Sequence, residues 1–215
     1  MTRKLPETAS VALPADGTKL HAPAAARNAD ALSALVRAWA PAEGTALELA
    51  SGTGQHVTAF AAATPELLWQ PSEIDDARMA SIDAYAVESG LDNIRPARLI
   101  DATSTGWHEA FGGRDLVVLV NLLHLLPVSA SRTVIKEAIA ALAPAGRFIL
   151  YGPFMRNGAF TSDGDAHFHA QLSGANPVIG YKNDTDIDRW LRDAGALRVD
   201  RVEMPANNLA FIAAL

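Results

Sequence analysis

Ala46-Leu47-Glu48-Leu49-Ala50-Ser51-Gly52-Thr53-Gly54-Gln55-His56 reads as an apolar strand that runs into an acid and a glycine turn. A second unit of the same kind, Leu67-Leu68-Trp69-Gln70-Pro71-Ser72-Glu73-Ile74-Asp75, follows it, and Glu73 stands 25 positions after Glu48. This is the layout of an α/β nucleotide pocket. The first strand supplies a turn where backbone can approach a ligand, and the second ends in a carboxylate placed to accept hydrogen bonds from ribose hydroxyls.

A nicotinamide fingerprint would read G-x-G-x-x-G, but only Gly52 and Gly54 are present and Val57 fills the third place. The turn is therefore not built to seat a pyrophosphate on a helix N-terminus. An acid shortly before it would repel a phosphate and suit an ammonium. That favours a ligand with an amino-acid moiety and no phosphate, namely S-adenosylmethionine. A purely structural strand–turn–helix junction is the alternative reading.

Outward from this stretch the pattern alternates. Residues 1–27 carry Pro6, Pro14, Gly17 and Pro23 with little periodicity and read as an N-terminal arm. A helix is expected from Asn28, with Leu32, Leu35, Val36 and Trp39 on one face. After the glycine turn, Val57, Phe60 and Ala61 line a second helix. Met79, Ile82 and Ala86 line a third, which stops near Gly90. Asn93 to Leu99 is a weaker third strand and Asp115 to Val120 a strong fourth. Val134, Ile135, Ala138, Ile139 and Leu142 mark another helix, stopped by Pro144-Ala145-Gly146, and Arg147 to Tyr151 is the fifth strand. Gly152 to Asn183 has poor periodicity and many Gly, Asp and His residues, as a lid over residues 153–183 would, or as a stretch holding a short helix without a clear apolar face would. A last helix with Ile187, Trp190, Leu191 and Ala194 precedes two strands, Leu197 to Met204 and Leu209 to Leu215. The expected fold is α/β: a Rossmann-like, mostly parallel seven-stranded sheet with helices on both faces and one antiparallel strand from a C-terminal hairpin. Residues 28–215 then form a single domain.

Composition narrows the function. A chain of 215 residues with a net charge of −6 lacks the broad positive field that nucleic-acid binding usually needs, and its basic residues form no run. There are no cysteines, which removes disulfides, thiolate metal sites and cysteine nucleophiles and fits a cytoplasmic setting. Met1 to Gly17 does not read as a secretory signal, and the apolar stretch from Leu116 to Leu126 is far short of the ~20 residues that span a bilayer. No membrane or nucleic-acid partner is expected; a small-molecule substrate is.

The acid and glycine motif resembles that of class I S-adenosylmethionine-dependent methyltransferases. Their acid-x-Gly-x-Gly-x-Gly is matched by Glu48-Leu49-Ala50-Ser51-Gly52-Thr53-Gly54, with Ala50 in place of the first glycine. The resemblance implies cofactor contacts from this turn, with Glu73 as the ribose-binding acid and Ile74 beside the adenine. It places Asp101-Ala102 at the adenine and Asn121 at the methionine end. From Ala22 onward the chain is most similar to a domain-of-unknown-function family of methyltransferase-like proteins. The shared stretches are Pro23 to Asn28, Ala50 to His56, Trp69 to Ser72, Tyr151 to Phe154 and Met204 to Asn208. They imply a cofactor class and not a substrate.

Further candidates follow from position. Arg27 could reach the cofactor's carboxylate as a charge-assisted fork, or stand in solvent while Asn28 caps the first helix. His124, after the fourth strand, could be a general base or a buried, hydrogen-bonded residue. Tyr151 could orient a substrate or fill the core. Asn207 and Asn208 sit in the C-terminal hairpin, where they could touch a substrate or serve turn geometry alone. Asp163, Asp165, His167 and His169 cluster without a fixed ligand geometry, and no metal is expected. The expected function is methyl transfer to a small molecule. Cyclisation or cleavage of the cofactor, non-catalytic binding of it and, weakest, a nicotinamide dehydrogenase are the alternatives.

Overall fold

A computed structural model describes residues 11–215; the first ten residues of the expected arm, Pro6 among them, lie outside the described residues. Two short strands, β1 (Leu13–Pro14) and β2 (Leu20–His21), pair antiparallel as a small ribbon. Helix α1 (Pro23–Trp39) begins five residues before Asn28. Its first turns are alanine-rich, so they show no apolar period, yet Pro23 at the helix start and the run of alanines favour helix. Asn28 therefore lies inside the helix and does not cap it.

Strand β3 (Gly44–Leu49) leads through the glycine turn into α2 (Gln55–Ala63), and β4 (Leu67–Glu73) leads into α3 (Asp76–Ser89). Asp75 caps α3, its side chain accepting from the Arg78 N–H, and Gly90 ends it in the left-handed region at φ 66°. The expected third strand shrinks to β5 (Arg98–Leu99), with Ile94 making an isolated bridge to Trp69. Pro96 interrupts the ladder between them, because it has no N–H to donate. A short helix α4 (Trp107–Phe111) precedes β6 (Arg114–Val120).

A single 3-10 turn, Leu123–Leu125, precedes α5 (Val128–Ala140). Strand β7 (Leu142–Met155) is longer than the pattern suggested at both ends. The stretch read as a lid or as holding a short helix contains helix α6 (Asp163–Ala175) and the two-residue strand β8 (Lys182–Asn183). Helix α7 (Asp184–Asp193), β9 (Arg198–Glu203) and β10 (Asn208–Ala214) close the chain.

The sheet runs β5-β4-β3-β6-β7-β10-β9, with β8 pairing the end of β7. Pairings among β3 to β8 are parallel, and β10 is antiparallel to both its neighbours. Residues alternate between faces, so each strand feeds two cores. Leu47, Leu49, Val117, Leu119, Phe148 and Leu150 pack under α5 and α7. Ala46, Trp69, Leu116, Val118, Ile149 and Tyr151 pack under α1, α2 and α3. Each large apolar side chain buried here contributes about 1.5–3 kcal/mol. A satellite cluster of Leu125, Leu172, Ile179 and Tyr181 lies beneath α6. Among the described residues no helix is long and apolar enough to cross a membrane.

Candidate functional site

Strand order reverses between β3 and β6, and the crevice beyond their C-terminal ends is where open α/β sheets bind ligands. Both strands leave the sheet on a left-handed non-glycine residue, Ala50 at φ 51° and Asn121 at φ 56°. Such a conformation costs an alanine of order 1 kcal/mol and an asparagine less, and strain of this kind gathers at binding sites. Between Ala50 and α2 the chain turns on Gly52 (φ 61°) and Gly54 (φ 95°). A Cβ on Gly54 would stand 2.7 Å from the Ile82 Cα, so only glycine lets the turn pass under α3.

Two serines lock this turn to the next strand. The Ser51 N–H donates to the Ser72 carbonyl at 2.8 Å and the Ser72 N–H to Ser51 Oγ at 3.2 Å. Both hydroxyls donate to the Glu48 carbonyl, at 3.3 Å from Ser51 and 2.8 Å from Ser72. This fixes two acids at the crevice. Glu73 accepts from the Gly52 N–H at 3.0 Å on Oε2 and from the Ile74 N–H at 2.8 Å on Oε1. Each oxygen keeps a further lone pair for a ligand hydroxyl. Glu48 is 1% exposed, and its Oε2 is buried with no hydrogen-bond partner. Burial pushes its carboxyl up to about 8, against a hydrogen bond from Ser51 and with the Glu73 charge adding to the rise. A buried carboxyl with an orphaned oxygen is a defect unless a donor arrives, and an ammonium supplies one.

Beside the acids, Ile74 and Leu99 are large apolar residues left 61% and 66% exposed, and Ala102, three residues after Leu99, is buried. Asp101 accepts from the Thr103 N–H and hydroxyl and from the Ser104 hydroxyl, which holds the turn after β5. Asn121 donates its N–H to the Tyr151 carbonyl at 2.9 Å, and Gly152 faces its amide: a Cβ there would lie 3.7 Å from Asn121 Oδ1. Glu48, Ala50, Ser51, Gly52, Gly54, Glu73, Ile74, Asp101, Ala102 and Asn121 thus all lie at one edge of the sheet.

The arm enters the same turn. Gln55 Oε1 accepts from the Ala22 N–H at 2.6 Å and from the Thr53 hydroxyl at 2.9 Å, and its Nε2 meets His21 Nδ1 at 3.3 Å. Ser81 Oγ accepts from the Leu20 N–H at 2.8 Å while donating to the Thr53 carbonyl at 2.7 Å. Asn28 spans three elements. In the orientation that satisfies every partner, its amide nitrogen donates to His56 Nε2 at 2.8 Å and to the Ala24 and Ala25 carbonyls at 2.9 Å. The Asn28 side chain also hydrogen-bonds the Tyr151 hydroxyl. Tyr151 is buried in the core under α1, and burial pushes its hydroxyl up. Burial likewise pulls His56 down to about 4. Arg27 is exposed on α1. Sequence reasoning missed the tie through Gln55, Ser81 and the pair Asn28–His56, although Gln55, His56 and Asn28 stood within the shared stretches.

On the far side of the crevice, His124 lies in the 3-10 turn under α6. Its ring centroid is 5.8 Å from Phe168 and 6.4 Å from Tyr181. Its Nδ1 is buried without a partner, and burial, with the Lys182 charge adding to it, pulls the ring down to about 3. It is neutral through the physiological range. The residues weighed for a metal diverge. Asp165 accepts from Thr161, Ser162, the Tyr181 hydroxyl and Asn207; His167 meets Gln171; His169 Nδ1 accepts from the Tyr181 N–H. No group of three or more such ligands is gathered among the described residues. Asn207 joins the hairpin tip to α6, its Nδ2 donating to Asp165 Oδ2 at 3.2 Å. Asn208 turns inward, its Nδ2 donating to the Pro205 carbonyl at 3.1 Å and the Ala206 carbonyl at 3.3 Å.

A family described as "Protein of unknown function (DUF938)" matches residues 19–213. The chain belongs to that family. Among solved structures, this DUF938 protein is similar to an O-methyltransferase family protein from Burkholderia thailandensis, with TM-score 0.76 and 20% identity over 89% of the chain and 56% of the other. An O-methyltransferase family 2 protein from Planctomyces limnophilus, in complex with apigenin, gives TM-score 0.74 and 16% identity over 89% and 60%. Human N-acetylserotonin methyltransferase in complex with SAM gives 0.72 and 12% over 89% and 52%. The fold is that of these methyltransferases, and the chain spans little more than half their length.

Proposed function

We propose that this DUF938 protein is an S-adenosylmethionine-dependent methyltransferase acting on a small-molecule acceptor. The observation that carries the proposal is Glu48 Oε2, a buried carboxyl oxygen without a partner at the switch point of a methyltransferase fold, beside Glu73. The residues fit the cofactor group by group. Glu48 and the turn from Ala50 to Gly54 would take its ammonium end, with Asn121 opposite and Arg27 as a candidate for its carboxylate. Glu73 would take the ribose diol, and Ile74, Leu99 and Ala102 the adenine, with Asp101 shaping the turn beside it. Residues 28–215 would form one domain, with 153–183 as its lid and the arm closing the opposite rim.

When bound, the cofactor supplies a methyl group already activated on a sulfonium, so the protein's task is to align the acceptor and exclude water. His124 would act as a hydrogen-bonding partner for the acceptor, since a ring held near 3 cannot retain a proton at neutral pH. Tyr151 would hold α1 against the sheet and steady the site at one remove. Asn207 would keep α6 over the crevice.

The test is turnover of cofactor labelled in its methyl group, with pooled thiols, phenols, amines and carboxylates and with none. Label transferred to an acceptor supports the proposal. A non-methyl product formed without any acceptor would assign cyclisation or cleavage instead, and tight binding with no product would leave a binding protein.

A further inference from the structure

Lys182 lies on β8, where it pairs with Phe154 near the end of β7. It is 5% exposed, and its Nζ donates to the Leu126 carbonyl at 2.5 Å and the Gly180 carbonyl at 2.8 Å. Among the described residues, none of the ion pairs includes it. Asp184, two residues on, and Asp165 on α6 are already engaged elsewhere. Asp184 pairs with Arg201 at 2.9 Å and accepts from the Asn157 and Thr185 N–H groups. Asp165 is held by Thr161, Ser162, Tyr181 and Asn207.

A buried ammonium with carbonyls alone for company is expensive, because neutral dipoles replace only part of its hydration. Burial pulls it down to about 8, which leaves it mostly charged at neutral pH. Its charge acts on both His124 and His169. His124, three residues beyond Asn121, carries an unsatisfied group in the same region, its buried Nδ1. Aromatic rings surround them: Phe168 and Tyr181 beside His124, and Phe160 at 5.0 Å from His169. The region under α6 thus combines one uncompensated cation, one unsatisfied ring nitrogen and several aromatic faces, at the margin of the crevice.

We propose that Lys182 determines acceptor specificity: its ammonium is the counterion for an aromatic acceptor that binds beneath α6 as an oxyanion, with His124 Nδ1–H hydrogen-bonding the same group. The inference rests on the methyltransferase reading and names its substrate class. An amine acceptor would arrive as an ammonium and meet like charge. A neutral alcohol would need a base, which the His124 ring is too weak to be. An acidic hydroxyl or carboxyl reaches the site with its nucleophilic lone pair already free, and Lys182 holds it there.

The test uses the full chain loaded with S-adenosylhomocysteine. Ligand-observed NMR titrations with 4-hydroxybenzoate, phenol, benzyl alcohol and benzylamine are run on the wild type, Lys182→Met and Lys182→Arg. The wild type is expected to bind 4-hydroxybenzoate at least about tenfold more tightly than benzyl alcohol or benzylamine. Lys182→Met should lose about tenfold for the acid and little for the alcohol, while Lys182→Arg keeps most of the affinity. Cofactor titration of each variant should be unchanged, which shows that it has folded. Equal binding of acid and amine by the wild type overturns the proposal without recourse to any variant. So do an acid affinity that survives Lys182→Met and no acid binding by a wild type that holds the cofactor. Failure of the wild type to bind the cofactor at all would instead sink the methyltransferase reading.

Discussion

Glu48 is buried more completely than its chemistry allows for a free carboxylate, and its titration reports on the site. In the folded protein the carboxyl is pushed from 4.5 up to about 8, with burial the main cause. At neutral pH it is therefore protonated when folded and ionised when unfolded. The folded state binds the extra proton, so stability falls as the pH rises from the unfolded value through the folded one, at ~1.4 kcal/mol per pH unit. Denaturant titrations of the wild type should show that fall between about pH 5 and 8, and Glu48→Gln should flatten it. An unchanged slope in the variant would remove Glu48 as its source. A cationic ligand group against Oε2 would ionise the carboxyl. Cofactor binding at about pH 6.5 should then release close to one proton, measurable as a dependence of the calorimetric heat on buffer ionisation enthalpy and lost in Glu48→Gln. The sequence placed this acid at the strand end. It could not show the orphaned oxygen, which depends on the tertiary packing around the side chain.

At the scale of elements, the two glycines of the turn are not equivalent. Gly54→Ala drives a Cβ to 2.7 Å from backbone of α3, whereas a Cβ on Gly52 finds only the Arg78 guanidinium at 3.8 Å. Gly54→Ala should cost more than about 2 kcal/mol of stability, and Gly52→Ala about 1 kcal/mol from its left-handed backbone alone. Equal losses in thermal or denaturant unfolding would contradict the assigned packing. Helix α6 turns on its first turn, where Ser162 accepts from the Asp165 N–H and Asp165 binds Tyr181 and Asn207. Asp165→Ala should raise amide exchange in residues 163–175 by about tenfold, with β3 and β6 unmoved. Ser162-Asp163-Gly164-Asp165 is a local capping signature for the start of α6. Periodicity missed the helix because its inward face is sparse: of its residues only Leu172 is fully buried. The strong strands and α7 were legible because their apolar residues recur at regular spacing. β5 was overestimated because Pro96 breaks its ladder.

For the molecule as a whole, the alternation of strands and helices carried the parallel sheet and the hairpin at the end. The sequence marked the turn after β3 and Asn121 after β6 as candidate cofactor contacts, and the strand order that makes β3 and β6 neighbours is a tertiary fact it does not carry. Long-range ties were beyond a linear reading. Asn28, His56 and Tyr151 meet from α1, α2 and β7, and Lys182 reaches the carbonyl of Leu126, with no local pattern to announce either. In the proposed function the crevice binds S-adenosylmethionine through the acids at its strand ends. The direct measurement is calorimetric titration of the wild type and Glu73→Ala with S-adenosylmethionine, its demethylated product and NAD. Saturable binding of both sulfur compounds is expected, weakened about thirtyfold or more by loss of the two proposed ribose contacts, with no binding of NAD. Absence of binding by either sulfur compound, or affinities indifferent to Glu73→Ala, would contradict it and leave the glycine turn a structural junction.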